Sequence, residues 1–416
     1  MSMTRRMYTL LLFLLIPLIL MRLAWRGRKQ PGYLQHIGER FGRYRDAPHG
    51  PVIWLHAVSV GETRAAEPLV RALQGAYPGH RILLTHMTPT GRETGEQLFG
   101  DSVLRCYLPY DLPFAIAAFL RHFQPVLGAL METELWPNLI HGCRARRVPL
   151  VLVNARLSER SARGYARVGR LARDALEAMD GIGAQTEADA ARLRALGARA
   201  VTVTGNIKFD RGPKPHDLEL GAKFRAWIGT QRFVFVAAST REGEEALVLD
   251  AVEDAQPELL TVIVPRHPQR FDEVARLLER RGTLFQRRSG STSVSPAARV
   301  WLGDSMGELF AYYAAGDVAF IGGSLLPLGG QNLLEACAVG RPVLIGPHSF
   351  NFAEATRLAV DAGAAIQVAD SSGLGSAVRQ LLNDPERRQR MGQAGLVLMR
   401  EHQGATQRTL SLLQID

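Results

Sequence analysis

Ile321-Gly-Gly-Ser-Leu-Leu-Pro-Leu-Gly-Gly-Gln-Asn-Leu-Leu-Glu-Ala336 reads as a strand that runs into two glycine pairs and then into a helix. A strand, a glycine turn and a helix N-terminus in that order are the parts of a parallel α/β sheet. The backbone N–H groups such a turn exposes favour a phosphate. Glu335, four residues past Gln331, is spaced to accept hydrogen bonds from ribose hydroxyls. The chain contains neither G-x-x-x-x-G-K-[ST] nor G-x-G-x-x-G, which disfavours an ATPase and a dinucleotide dehydrogenase. It also lacks D-x-D, so a metal-bound diphosphate is not demanded and a sugar nucleotide is the ligand this stretch suits best.

Working outward, the alternation of apolar runs with helical patterns continues on both sides. In the same half, 233–238, 260–264, 299–302, 318–321, 343–345 and 364–368 read as strands, and 290–296 as a Ser-rich loop. Upstream, beyond the polar stretch 38–50, strands are predicted at 52–57, 81–87, 103–108, 126–131, 150–154, 181–184 and 200–205. Amphipathic helices are predicted at 112–123 and 162–179, the second with Arg163, Arg167, Arg170 and Arg173 on its wet side. Phe209-Asp-Arg-Gly-Pro-Lys-Pro-His-Asp217 interrupts the pattern with two prolines and a glycine, the mark of a domain linker. The expected organisation is therefore an anchor segment with its basic flank (1–29), a first α/β domain (30–208), a linker (209–219) and a second α/β domain (220–416). A ligand cleft is expected between the two halves.

Each half carries candidate chemistry at its strand ends. The first strand leads into His56-Ala-Val-Ser-Val-Gly-Glu62, where glycine before the acid allows a sharp turn and Glu62 is displayed at a helix start as a candidate general base. A first-turn acid that only complements the helix dipole is the competing role. Met131-Glu-Thr-Glu-Leu-Trp-Pro-Asn138 follows the fourth strand, with one of its two acids expected in the cleft. Glu132 is the candidate, against a role in capping the next helix or pairing with an Arg. Thr204-Gly-Asn-Ile-Lys-Phe-Asp210 places Lys208 at the hinge, where an ammonium can neutralise a departing phosphate. The chain has only four lysines and builds its positive surface from Arg, so this position stands out. In the second half, Pro265-Arg266-His267-Pro268 forms a rigid turn in which Arg266 can meet a phosphate or carboxylate. In Asp304-Ser-Met-Gly-Glu308, Asp304 or Ser305 reads as an N-cap, and the backbone at Met306 and Gly307 is free to approach a ligand.

Met7 to Met21 is fifteen residues without a charge, flanked by Arg5 and Arg6 before and by Arg22, Arg26, Arg28 and Lys29 after. The run passes straight into basic residues with no small-residue cleavage site, so an anchor is expected rather than a cleaved signal. Its length leaves a span and an interfacial helix both open. The heavier positive cluster on its C-terminal side predicts a cytoplasmic body. With 50 Lys and Arg against 40 Asp and Glu the formal charge is +10, yet no block of like charges occurs, which argues against a nucleic-acid tail. Diffuse positive charge suits anionic lipid headgroups or anionic substrates. Three widely separated cysteines (Cys106, Cys143, Cys337) point to free thiols rather than a disulfide framework or a zinc site.

Taken together in this order, HAVSVGE, METELWPN, GNIKFD, PRHP, MGEL, GGS with GGQNLLEA, and GPHSFNF (Gly346 to Phe352) resemble the Kdo transferases. These membrane-bound glycosyltransferases add 3-deoxy-D-manno-octulosonic acid (Kdo) to the lipid A precursor of Gram-negative bacteria. The resemblance covers nearly the whole chain and implies a GT-B fold, two Rossmann-like domains facing across a cleft, with CMP-Kdo as donor, no cofactor and no metal. It implies Glu62 as proton acceptor and Glu132 and Lys208 as transition-state stabilisers. The implied CMP-binding segments are Pro265 and Arg266, then Met306, Gly307 and Glu308, then Asn332, Leu333, Leu334 and Glu335. The family pattern has His where this chain has Leu333, so only the backbone contacts of that position are carried over. A GT-B transferase or epimerase using a UDP-sugar, and a catalytically silent membrane receptor, are the competing readings. Cleft carboxylates such as Glu62 and Glu132 argue against the receptor.

Overall fold

A computed structural model describes residues 3–45, 48–253, 259–290 and 293–415. The polar stretch 38–50 and the Ser-rich loop 290–296 therefore fall partly outside the described residues. The chain divides into two compact units, 1–210 with 403–416, and 211–402.

In unit 1, β1 (Val52–His56), β2 (Arg81–His86), β3 (Leu104–Tyr107), β4 (Pro125–Met131), β5 (Leu150–Ala155), β6 (Gly181–Ala184) and β7 (Val201–Val203) form one parallel sheet, ordered β3-β2-β1-β4-β5-β6-β7. In β1 all five positions are buried, as expected of a parallel strand covered on both faces. Its side chains alternate: Trp54 packs with Leu83, Phe119 and Leu130 on one face, and Ile53 and Leu55 pack with Leu69, Leu84 and Val153 on the other. Strand order reverses between β1 and β4, so the crevice beyond their carboxyl ends is the place where a doubly wound sheet binds ligands.

In unit 2, β8 (Val234–Thr240), β9 (Leu260–Pro265), β10 (Phe285–Arg287), β11 (Val300–Leu302), β12 (Val318–Ile321), β13 (Val343–Ile345) and β14 (Ala365–Gln367) form a second parallel sheet, ordered β10-β11-β9-β8-β12-β13-β14. Phe235, Ile263, Leu302, Phe320 and Leu344 build the core on one face. On the other, Phe224, Trp301 and Tyr312 meet edge to face and tilted, with centroids 5.0–5.5 Å apart. The sheet's switch point lies between β8 and β12.

Several features depart from the sequence reading. The tail, expected to end the second domain, packs in unit 1: Ala405 and Leu413 are buried there among Leu69, Leu73 and Ile207. Its backbone N–H groups at Gly404 and Thr406 donate to the Asp210 carboxylate. The expected linker is correspondingly shorter, because Ile207–Asp210 is a 3-10 turn of unit 1 and Pro215 opens the helix Pro215–Ile228. Proline there supplies an N1 residue rather than a break. Finally, 162–179 is two helices, Glu159–Val168 and Arg170–Glu177, separated by Gly169 at φ +37°. Arg163 and Arg167 therefore share a face that Arg170 and Arg173 do not continue. The short edge strand β10, at 285–287, carried no apolar run to announce it.

Candidate active site

Glu62 follows β1 in the helix Val60–Ala65. The turn is made at Ser59, the extended N-cap, rather than at Gly61, which sits in the first helical turn, where a Cβ would meet only Ser59 Oγ at 3.8 Å. The Glu62 carboxylate accepts the Val58 N–H and the Ser59 N–H, so it completes the helix start. It is also half-buried. That burial, with the nearby charges of Glu132 and Glu134, outweighs the two N–H donors and pushes Glu62 up to about 7. A carboxyl poised there is matched to proton transfer near neutral pH.

Glu132 follows β4. Its N–H donates to Val153 O (2.9 Å), and its φ of +57° turns the chain out of the strand in a left-handed conformation rare for a non-glycine residue. Glu132 Oε1 meets Lys208 Nζ at 3.2 Å, so its pairing among the described residues is with a lysine. Capping of the helix Pro137–Ala145 falls to Asp111, whose carboxylate accepts the Asn138 N–H (3.0 Å) and the Leu139 N–H (2.7 Å). Glu134, itself pushed up by burial and by Glu132, acts electrostatically on Glu62 as well. Both acids of this pair therefore act electrostatically on Glu62.

Lys208 is held by several bonds around its 3-10 turn. Asn154 Oδ1 accepts the Ile207 N–H (3.1 Å), Asn206 Oδ1 accepts the Lys208 N–H (3.0 Å), and Arg408 from the tail donates to Thr204 O (2.8 Å). Asn154, at the end of β5, is a second residue with positive φ at this sheet edge (+55°). Beneath the Glu62 turn lie His56 and His86, both fully buried. His86 Nδ1 donates to Ala57 O at 2.9 Å. Burial pushes His56 down to about 3 and His86 down to about 4, so both stay neutral and serve as supports.

In unit 2 the glycine turn after β12 does not offer its first N–H groups to a ligand. The carboxylate of Glu244, fully buried at the start of the helix Glu244–Val252, accepts Gly323 N–H (2.6 Å), Ser324 N–H (2.9 Å), Leu325 N–H (3.0 Å) and Arg241 N–H (3.2 Å). The expected phosphate cradle is thus filled by a built-in anion. Gly322 is required there because a Cβ would meet Ser239 O at 2.5 Å.

The open positive charge lies beside that turn. Arg211 Nη1 meets Glu335 Oε1 at 2.8 Å, and Arg266, after β9, is lowered by burial while Glu335 holds it up against Arg241 and Arg211. Arg266 thus lies within electrostatic range of the Arg211–Glu335 pair and of Arg241 at the carboxyl edge of the sheet. Sequence reasoning identified Arg266 and Glu335 but missed Arg211 and Arg241. The signal for Arg241 was its position directly after β8, the strand at the switch point. Burial, then Arg266, Arg241 and Arg270, push His267 below its ordinary value, leaving a neutral imidazole.

The remaining predicted ligand residues divide by exposure. Met306 is exposed and Gly307 has φ +83° with open space around it, a conformation that favours glycine. Glu308 is engaged by Arg288 (3.0 Å) and Ser305 Oγ (2.5 Å). Asp304 caps no helix: its carboxylate takes Ser289 N–H and Oγ (2.8 and 2.6 Å), and Glu308 is the N-cap of Leu309–Ala315. Asn332 is half-buried, whereas Pro265, Leu333 and Leu334 are buried, and the Leu334 N–H donates to Asn332 Oδ1 (3.2 Å). Cys106, Cys143 and Cys337 are free and buried.

Comparison with known proteins gives two family matches. Residues 35–211 match the family described as 3-deoxy-D-manno-octulosonic-acid transferase (kdotransferase), and residues 233–396 match glycosyl transferases group 1. The chain is 46% identical to a 3-deoxy-D-manno-octulosonic acid transferase of Bordetella pertussis, over 99% of each chain. It is 43% identical to the Haemophilus influenzae protein of the same name, over 99% of this chain and 98% of that one. Among solved structures, Anabaena HepE crystallised with UDP matches 87% of this chain and 98% of its own, with a TM-score of 0.58 at 14% identity. A UDP-GlcNAc 2-epimerase from Neisseria meningitidis matches 87% of this chain and 99% of its own at 0.57 and 17%. At these identities the structural likeness establishes the two-domain, GT-B type fold alone.

Proposed function

The chain belongs to the Kdo transferase family, and we propose that it moves Kdo from CMP-Kdo to a hydroxyl of the lipid A precursor, lipid IVA, on the cytoplasmic side of the inner membrane. The observation that carries this reading is a carboxyl held near pH 7, Glu62, beside a Lys208–Glu132 pair at the switch point of unit 1. In the proposed step Glu62 takes the acceptor hydroxyl proton as the oxygen forms a bond to the anomeric carbon of Kdo. The bond from that carbon to the phosphate oxygen breaks, and CMP leaves with the electron pair. Direct attack inverts the anomeric centre. Lys208, positioned by Glu132, offsets negative charge developing on the departing phosphate.

CMP-Kdo carries two separate anionic groups, the phosphate and the sugar carboxylate. Arg211, Arg241 and Arg266 provide three cations against the one carboxylate of Glu335, a surplus suited to such a donor. Met306 and Gly307 leave open backbone for the nucleoside. Phosphate is a good leaving group, so neither a general acid nor a divalent metal is required by the chemistry. Arg163 and Arg167 lie on the exposed helix Glu159–Val168, whose Tyr165 hydroxyl donates to Thr133 O (3.3 Å), next to Glu132. That adjacency suits them to the anionic headgroup of the acceptor.

Two results are expected. Substituting Arg163 and Arg167 with Glu raises the acceptor KM by roughly tenfold and leaves CMP affinity, with its preference over UDP, unchanged in calorimetry. Unaltered acceptor KM would remove that helix from the site, and equal affinity for UDP would remove CMP-Kdo as donor. The second result concerns pH. The base works only deprotonated, so kcat should climb as pH rises through about 7. Glu134→Gln removes a neighbouring negative charge, lowers the pKa of Glu62 and moves that climb to lower pH. A profile flat from pH 5 to 8 at constant stability would contradict the assignment.

A further inference from the structure

The N-terminal helix Arg5–Lys29 is 25 residues long, about 37 Å at ~1.5 Å per residue, so length alone allows it to cross a bilayer. Its side contacts decide otherwise. The partly or fully buried positions are Arg5, Tyr8, Thr9, Leu12, Leu15, Ile16, Ile19, Leu23 and Gly27. Their spacing of three and four is a single stripe running from the first turn to the last.

Both ends of that stripe are fixed to unit 1. At the start, Arg5 Nη1 (3.3 Å) and Thr9 Oγ1 (3.0 Å) donate to Asn138 Oδ1. Tyr8 hydrogen-bonds to Asp111, the carboxylate that caps the helix Pro137–Ala145. At the far end Leu23 is buried, and Gly27 lies so close to Leu34 that a Cβ would meet its Cγ at 2.4 Å. A spanning helix would have to break the contacts of Arg5, Tyr8 and Thr9 with Asn138 and Asp111 or draw those polar groups into hydrocarbon.

The opposite face is apolar and exposed: Leu10, Leu11, Phe13, Leu14, Leu18 and Met21. Phe114, half exposed with its ring centroid 6.3 Å from that of Phe13, continues the patch onto the body of unit 1. Arg6 precedes this face, and Arg22, Arg26 and Arg28 follow it, all exposed, with Trp25 among them. Apolar residues bounded by cations and an interfacial Trp match one leaflet of an anionic bilayer.

We propose that the N-terminal helix lies in the plane of the membrane, seated along unit 1, with its outer face and Phe114 in one leaflet. The chain then does not cross the bilayer, and residue 4 and the globular body lie on the same side. This rests on the membrane association proposed above.

The test uses the full chain with a single added cysteine, at exposed Thr4 (Thr4→Cys) or at Gly79 in an open turn of unit 1 (Gly79→Cys), its own three thiols being buried. A membrane-impermeant maleimide is applied to intact and to lysed spheroplasts. Both positions are expected to label together, only after lysis. Thr4→Cys labelling in intact spheroplasts while Gly79→Cys does not would show a spanning helix and overturn the proposal. Failure of the protein to sediment with membranes would overturn the association and, with it, this geometry. A second variant, Leu14→Glu with Leu18→Glu, should weaken binding to phosphatidylglycerol-containing vesicles by about tenfold or more, and unchanged binding would also overturn it.

Discussion

Replacing Glu62 by Gln should lower Kdo transfer by a factor of ~10³ while the protein folds as before and binds CMP with unchanged affinity. The side chain has two jobs, and the amide separates them. As part of a helix start, the carboxylate accepts the Val58 and Ser59 N–H groups, and Gln keeps an acceptor oxygen for that purpose. As a base it must take a proton, which an amide cannot do. Glu62→Ala should lose the same activity and in addition about 1 kcal/mol of stability through the lost capping. Transfer surviving in the Gln variant would reduce Glu62 to a capping residue. A parallel loss of CMP binding, which depends on residues of unit 2, would point to misfolding.

Glu244→Ala should destabilise unit 2 by about 3–5 kcal/mol, as removal of one partner from a buried charged site does. Three N–H groups of the glycine turn and that of Arg241 converge on this carboxylate. Without it they are left buried and unsatisfied. For a unit of this size the melting temperature should fall by ~10 °C, followed by a weakening of CMP binding, because Arg241 and the turn leading to Asn332 and Glu335 lose their common support. Inorganic phosphate or sulfate should restore part of the stability by entering the vacated cradle. A variant as stable as the parent would show that the turn does not depend on its internal anion.

Much of the fold was legible because parallel strands buried on both faces leave uninterrupted apolar runs. Val52–His56 and Val318–Ile321 were readable to within a residue for this reason. The tail was not, since Ala405 and Leu413 carry no sign of which core they join. What fixes them to unit 1 is the Asp210 carboxylate and the space beside Ile207. Local sequence likewise gave the positions of Glu62, Glu132, Lys208 and Arg266 at strand ends, but not their partners. That Glu244 would occupy the glycine turn depends on a contact 80 residues away in the chain. The same holds for Arg211 and Glu335, and for the left-handed backbone of Glu132, which no property of glutamate announces.

One assay addresses the central claim. The detergent-solubilised protein is incubated with EDTA, CMP-Kdo and the lipid A precursor, and the lipid product is weighed by mass spectrometry. The account predicts a mass increase in Kdo units with EDTA present. No increase, with activity recovered on adding magnesium or on supplying another sugar nucleotide, would contradict it.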